Sequence, residues 1–141
     1  MGNYNNIKDA HAEIIKKVTE IRNKTLIAIF DSLVNDSPYG NPTLWKSKAP
    51  KGYHPGHFRA NWQADIENIP GNEIDSTTLI PTALHLMDAK YGATIYMANN
   101  VAYAWPLEYG HSTQQPSGWI RTKVASGGGI LQTIINQVGD K

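Results

Sequence analysis

The chain has 141 residues, 13 lysines and arginines against 12 aspartates and glutamates, and no cysteine. One domain of this size can bury roughly 68% of the surface its unfolded chain exposes, so it can hold one hydrophobic core but not two. The near-neutral balance excludes a global pull toward nucleic acid or anionic lipid. The missing cysteines exclude disulfides, thiol nucleophiles and cysteine-built metal centres.

The N-terminal stretch MGNYNN is polar, and no apolar run approaches the ~18 residues of a membrane span. Asn6 stands where a myristoylation signal needs Ser or Thr. No targeting segment is therefore expected.

Residues 6–35 predict one long helix. Ile7, Ala10, Ile14, Val18, Ile21, Thr25, Ile29 and Leu33 recur at steps of three and four, which places them on one face. Ile15, Leu26, Ile27, Phe30 and Val34 widen that stripe in the second half. The stripe is longer than a small domain needs, so the helix is expected to pack on the core and offers a face to a neighbouring subunit.

Residues 36–57 read as an extended loop rich in Pro and Gly. It carries Tyr39, Trp45 and Tyr53, aromatics that a disordered linker lacks. The loop is expected to dock, either on its own domain or on a partner.

Residues 58–141 read as a sheet-containing core. FRANWQADIENI alternates, with Phe58, Ala60, Trp62, Ala64 and Ile66 on one side, and predicts a half-buried strand. IPGN is a turn and EIDSTTL a weaker strand. PTALHLMDA predicts a short helix with Pro81 at its first position. YGATIYMAN is a strand and VAYAWPLEYG a helical turn closed by Gly110. GWIRTKVA reads as a strand, and ILQTIINQV as a helix or strand after the glycines of SGGG. The sum is a single α+β domain: a long amphipathic helix on a small, mostly antiparallel sheet with short helices.

Charge is unevenly placed. Lys46, Lys48, Lys51 and Arg59 fall between Ser37 and Ala64 with no acid among them. Asp65, Glu67, Glu73 and Asp75 follow with no base. A basic loop beside an acidic hairpin suits head-to-tail contact between copies. It is also what two solvated faces look like. The acids are spaced i, i+2, which puts each pair on one face of a strand.

Chemistry finds little support. His54 and His57, three apart in HPGH, have zinc-like spacing but no carboxylate nearby and no H-E-x-x-H pattern, so no metal is expected. His111 and Ser112 are adjacent, which is a poor arrangement for a nucleophile and its base, and no G-x-S-x-G elbow is present. SGGGI lacks the Lys-Ser/Thr of a phosphate loop, and no cofactor is expected. Glu108 stands among Tyr103, Trp105 and Tyr109, where an ionised carboxylate needs a partner. Arg59 and Arg121 are the arginines outside the first helix that can serve.

The order of these segments resembles the head–tail connector, or tail-completion, family of tailed double-stranded DNA bacteriophages. The residues that carry the likeness are PGHFRANW, Pro55 to Trp62, and YMANNVAYAWPLEYGHSTQQPSGWIR. In the second, Asn99 or Asn100, Tyr103, Ala104, Glu108, Gly110, Gln115, Pro116, Gly118 and Arg121 match the family's pattern. Pro55 stands where that family favours a small hydroxyl residue, and Trp119 where it favours an aliphatic one. The resemblance implies a virion structural protein at the head–tail junction and no enzyme. Copies would form a ring that touches neighbouring neck, portal-adaptor and tail-tube or tail-terminator proteins, and DNA would pass through the lumen without specific contacts.

On this reading Tyr39, Trp45, Tyr53, Arg59, Trp62, Tyr103, Trp105, Glu108, Tyr109 and Arg121 are interface residues, and Asp65, Glu67, Glu73 and Asp75 are lumen-facing acids. Two other readings compete: a nucleic-acid-binding module using the basic, aromatic loop at 45–53, and a small hydrolase using His111 and Glu108.

Overall fold

The computed structural model describes residues 6–37, 54–102, 104 and 118–139. Helix α1, Ile7–Asn35, is the long element the periodicity predicts. Its start is fixed by Asn6, whose side-chain oxygen accepts from the Asp9 amide at 3.0 Å, an N-cap that satisfies one of the helix's orphan donors. No Gly or Pro breaks the following 29 residues.

A short helix α2, His57–Ala60, leads into strand β1, Trp62–Ile66. A 3-10 helix, Leu84–Asp88, follows, and then strand β2, Ile95–Asn99. β1 and β2 pair antiparallel, with Trp62 opposite Asn99 and Ile66 opposite Ile95. They form a two-stranded sheet. Helices α3, Trp119–Ala125, and α4, Gly127–Gly139, complete the described chain.

The core lies between the second half of α1 and the sheet layer. Ile29, Phe30, Leu33 and Val34 of α1 meet Phe58, Trp62, Ala83, Leu86, Val101 and Trp119. Phe58 is the centre of an aromatic run, edge-on to Trp62 at 5.7 Å and to Trp119 at 6.1 Å between ring centroids. Each fully buried aliphatic or aromatic side chain here contributes about 1.5–3 kcal/mol relative to exposure. Ala64, Ile66, Ile95 and Met97 cover the same core from the strands. The predicted alternation of β1 therefore holds from Trp62 onward.

Polar clamps fix the layers. Arg22 donates to the carbonyls of Ala93 (3.0 Å) and Lys90 (2.9 Å), and more distantly to Ala89 (3.4 Å). Its fully buried neighbour Asn23 donates to Ala89 O at 2.9 Å. Together they tie the turn before β2 to the middle of α1. At the other end, Trp62 Nε1 donates to Ser37 Oγ at 2.6 Å, and that hydroxyl donates to Leu33 O at 2.6 Å.

Several expectations are corrected. Residues 57–60 are helical rather than the start of a strand. Phe58 and Trp62, four apart, share a face at helical spacing as well as at strand spacing, so alternation alone does not separate the two. EIDSTTL forms no strand; its Ile74 is held by a side chain instead of a ladder. The predicted helix at 81–89 is a single 3-10 segment that begins at Leu84. GWIRTKVA is helix α3, not a strand. Its β-branched residues favour extended backbone only weakly, while burial of Trp119 against Phe58 is decisive.

The glycines before Ile130 belong to α4. Gly127 is where α4 crosses α1, and a Cβ there would lie 2.7 Å from Ile29 Cδ1. The helical turn predicted over 101–110 lies largely outside the described residues.

Candidate functional site

Of the residues proposed from sequence for an interface, Tyr39, Trp45, Tyr53, Tyr103, Trp105, Glu108 and Tyr109 lie outside the described residues. So do His111 and Ser112. Among the rest, Trp62 is not at the surface. It is 5% exposed and its indole N–H is engaged by Ser37. Arg59 is half-buried on α2, and Arg121 is exposed on α3. The Arg121 guanidinium folds back over Gly118, with Nη2 3.2 Å from the position of a Cβ there. Gly118 has φ of 79°, the left-handed region that glycine adopts without strain.

The four acids separate into two settings. Asp65 is on β1, where it faces away from Ala64 and Ile66, and its Oδ1 accepts from the Ile66 amide at 2.8 Å. Glu67 follows the strand with φ of 65°, unusual for a residue with a side chain. Backbone and side chain hold it there: its amide donates to Thr94 O at 2.7 Å, and its Oε1 accepts from the Thr94 amide at 2.8 Å. Glu73 and Asp75 are on an extended segment that joins no sheet. They are not a strand-face pair.

Glu73 is bound by a residue that sequence reading set aside. His57 is 8% exposed, with Nε2 2.5 Å from Glu73 Oε1 and Nδ1 2.9 Å from Ser76 O. Both ring nitrogens face oxygen acceptors, so the imidazolium, which donates from both, is the favoured form. Burial pushes the His57 pKa down. The hydrogen bonds to Glu73 and Ser76, with the charges of Glu73 and Asp75, outweigh burial and leave it raised.

Asn61 completes the clasp. It is fully buried, donates to His57 O (2.8 Å) and Ile74 O (3.0 Å), and accepts from the Ile74 amide at 2.6 Å. A single side chain thus takes the place of a strand for residue 74. The sequence signal was the i, i+4 spacing of His57 and Asn61 after the Pro55–Gly56 turn, which marks a short helix presenting both on one face.

The acidic segment from Glu67 to Leu84 also carries bare apolar side chains. Ile69 is 70% exposed, Ile80 61% and Leu84 69%. Leu79 and Ile80 wall an open cleft of about 530 Å³ against β1, together with Trp62, Ile74, Pro81 and His85. His85 Nε2 lies 2.7 Å from Ala64 O on the cleft's floor.

A second open surface runs along α1. Ile7 is 88% exposed and Ile14 58%, on the first half of α1. The strip continues into a groove between α1 and α4 lined by Val18, Ile21, Thr25, Leu26, Leu131 and Ile135. This is the over-long apolar stripe of the sequence. Only its second half is covered.

Among the described residues, no group of three or more His, Asp or Glu is placed to hold a metal ion. No helix among them is long and apolar enough to cross a membrane. No family model, curated protein or solved structure matches the chain.

Proposed function

We propose that the protein is a structural component of a tailed-phage virion, placed at the head–tail junction, where copies join side by side in a ring around the DNA path. One observation carries this reading: the apolar strip of α1 is left uncovered over its first three turns and runs on into the open α1–α4 groove. Contiguous exposed apolar surface of this kind marks a contact with another macromolecule. A ring follows when one face of a subunit binds a different face of the next and the rotation closes. The resemblance of PGHFRANW and of the segment ending at Arg121 supplies the phage context.

The reading assigns the chain no reaction. The His57 clasp acts as a brace for the acidic segment, since both of its ring nitrogens are occupied by the protein's own oxygens. Its test is a phage lacking this chain. Filled heads and finished tails should accumulate unjoined, and micrographs of wild-type particles should show density for the chain at the neck. Complete, infectious particles without the chain would refute the reading.

A further inference from the structure

The open strip on α1 has a charge pattern that selects its occupant. At 3.6 residues per turn, Ile7, Ile14, Val18, Ile21 and Thr25 fall in one narrow line at the 3-4 spacing of a helix-packing seam. Lys17 and Lys24 run along one side of it, where Lys24 is paired with Glu20 at 2.7 Å, and Lys8 and Arg22 run along the other. Glu13 and Glu20 border the Lys17–Lys24 side, Asp9 and Lys16 fall on the back, and residues 7–25 carry five bases against three acids. Helix α4 adds Leu131 and Ile135 to the groove, and residues 118–139 contain two bases and no acid. Pairing this seam with itself would set two net-positive stretches against each other, which disfavours α1-to-α1 contact between copies.

The opposite patch exists on the same chain. Residues 54–102 hold five acids against two bases. The bare Ile69, Leu79 and Ile80 stand among Glu67, Glu73 and Asp75. Leu79 and Ile80 share a cleft with Trp62, which is bonded to Ser37 just past the C-terminal end of α1. The seam residues Ile7 and Ile14 are at the other end. From Ile14 to Asn35 the helix axis runs about 30 Å. Leu79 and Ile80 therefore lie toward the end of α1 opposite Ile7, while Glu67, bonded to Thr94, lies nearer Arg22, which holds the Ala93 carbonyl.

We infer that the basic-flanked α1 seam and α1–α4 groove of one copy receive the acidic segment 67–80 of the next copy. Ile69, Leu79 and Ile80 enter against Ile7, Ile14 and Val18, while Glu67 and Asp75 meet Lys8 and Lys17. The contact is head-to-tail, so each copy donates one patch and accepts the other. This rests on the ring reading above and specifies its faces. It uses the acids at 67–75 for subunit contact, where the sequence suggested they line the lumen.

The test is a charge swap between two variants. Lys8→Glu/Lys17→Glu reverses the sign of the two seam positions that the contact uses. Asp75→Lys/Thr77→Lys takes the segment from a net charge of −3 to neutral, with the new bases at its exposed positions, and leaves Glu73 on His57. All four positions are away from the core, and unchanged melting of each variant serves as the folding control. Self-association is followed by sedimentation equilibrium up to ~1 mM, so that contacts as weak as about −4 kcal/mol register.

Each variant alone should associate at least about tenfold more weakly than the wild type. Mixed in equal amounts they should associate again, because the reversed seam positions of one meet the reversed segment positions of the other and the two unaltered patches still match. Variants that associate like the wild type, or a mixture no tighter than either component, overturn the inference while leaving the neck reading standing on particle micrographs. A wild-type chain monomeric throughout that range also overturns it.

Discussion

Replacing Asn61 by alanine is the sharpest probe of how the acidic segment is held. The side chain is fully buried and makes three contacts, at 2.6, 2.8 and 3.0 Å, two of them to the backbone of Ile74. A net contribution of about 1 kcal/mol per hydrogen bond gives a loss of about 3 kcal/mol. With a urea dependence of about 2 kcal/mol/M, the unfolding midpoint should fall by about 1.5 M. Amide hydrogen exchange reads the mechanism separately. The Ile74 amide, protected by Asn61 Oδ1 in the wild type, should exchange freely in the alanine variant. It should stay protected in Asn61→Asp, which retains the acceptor but turns an oxygen toward two carbonyls and destabilises at least as much. A fall below about 1 kcal/mol, or an Ile74 amide equally protected in the alanine variant, would refute the argument that this side chain substitutes for a strand.

Two further predictions concern His57 and the glycines of α4. The folded chain binds the His57 proton more tightly than the unfolded chain, because its pKa is raised from the ordinary 6.5. The stabilisation from the clasp is full below that value and is lost as pH rises through the raised one. His57→Gln should flatten this part of the stability–pH curve, and an unchanged slope would show that another group sets it. In α4, a Cβ at Gly128 or Gly129 meets nothing within 4 Å, whereas at Gly127 it meets Ile29 Cδ1 at 2.7 Å. Gly128→Ala and Gly129→Ala should each stabilise by up to about 1 kcal/mol. Gly127→Ala should melt below both by about 4 °C, and equal melting of all three would mean the crossing is looser than it looks.

α1 was readable almost to the residue because every level of the sequence agrees over it. A capping Asn6, an unbroken run without Gly or Pro, and a 3.6-residue period coincide, and the Pro38 and Gly40 breakers follow. β2 was equally plain from the alternation of Ile95 and Met97. Elsewhere local preference and tertiary context disagree. The β-branched residues of α3 suggest a strand and the glycines of α4 suggest a linker. Both fold as helix because Trp119 is buried against Phe58 and because α4 approaches α1 too closely at Gly127 for a side chain.

The pairing of His57 with Glu73 was illegible for a different reason. His57 and Glu73 are sixteen residues apart, and neither carries a local sign that it needs the other. The unequal placement of charge was visible in composition alone. That the acidic stretch also exposes Ile69 and Ile80 required the fold, since in sequence they read as ordinary strand and loop positions.

Arg22 stands between the exposed first half of α1 and the turn before β2. Its planar fork grips the carbonyls of Lys90 and Ala93 in a way a lysine's single ammonium does not reproduce. That makes it a fixed point: α1 is joined there through two main-chain acceptors to the turn that starts β2. A displacement of α1 at this point is thereby coupled to the edge of the sheet.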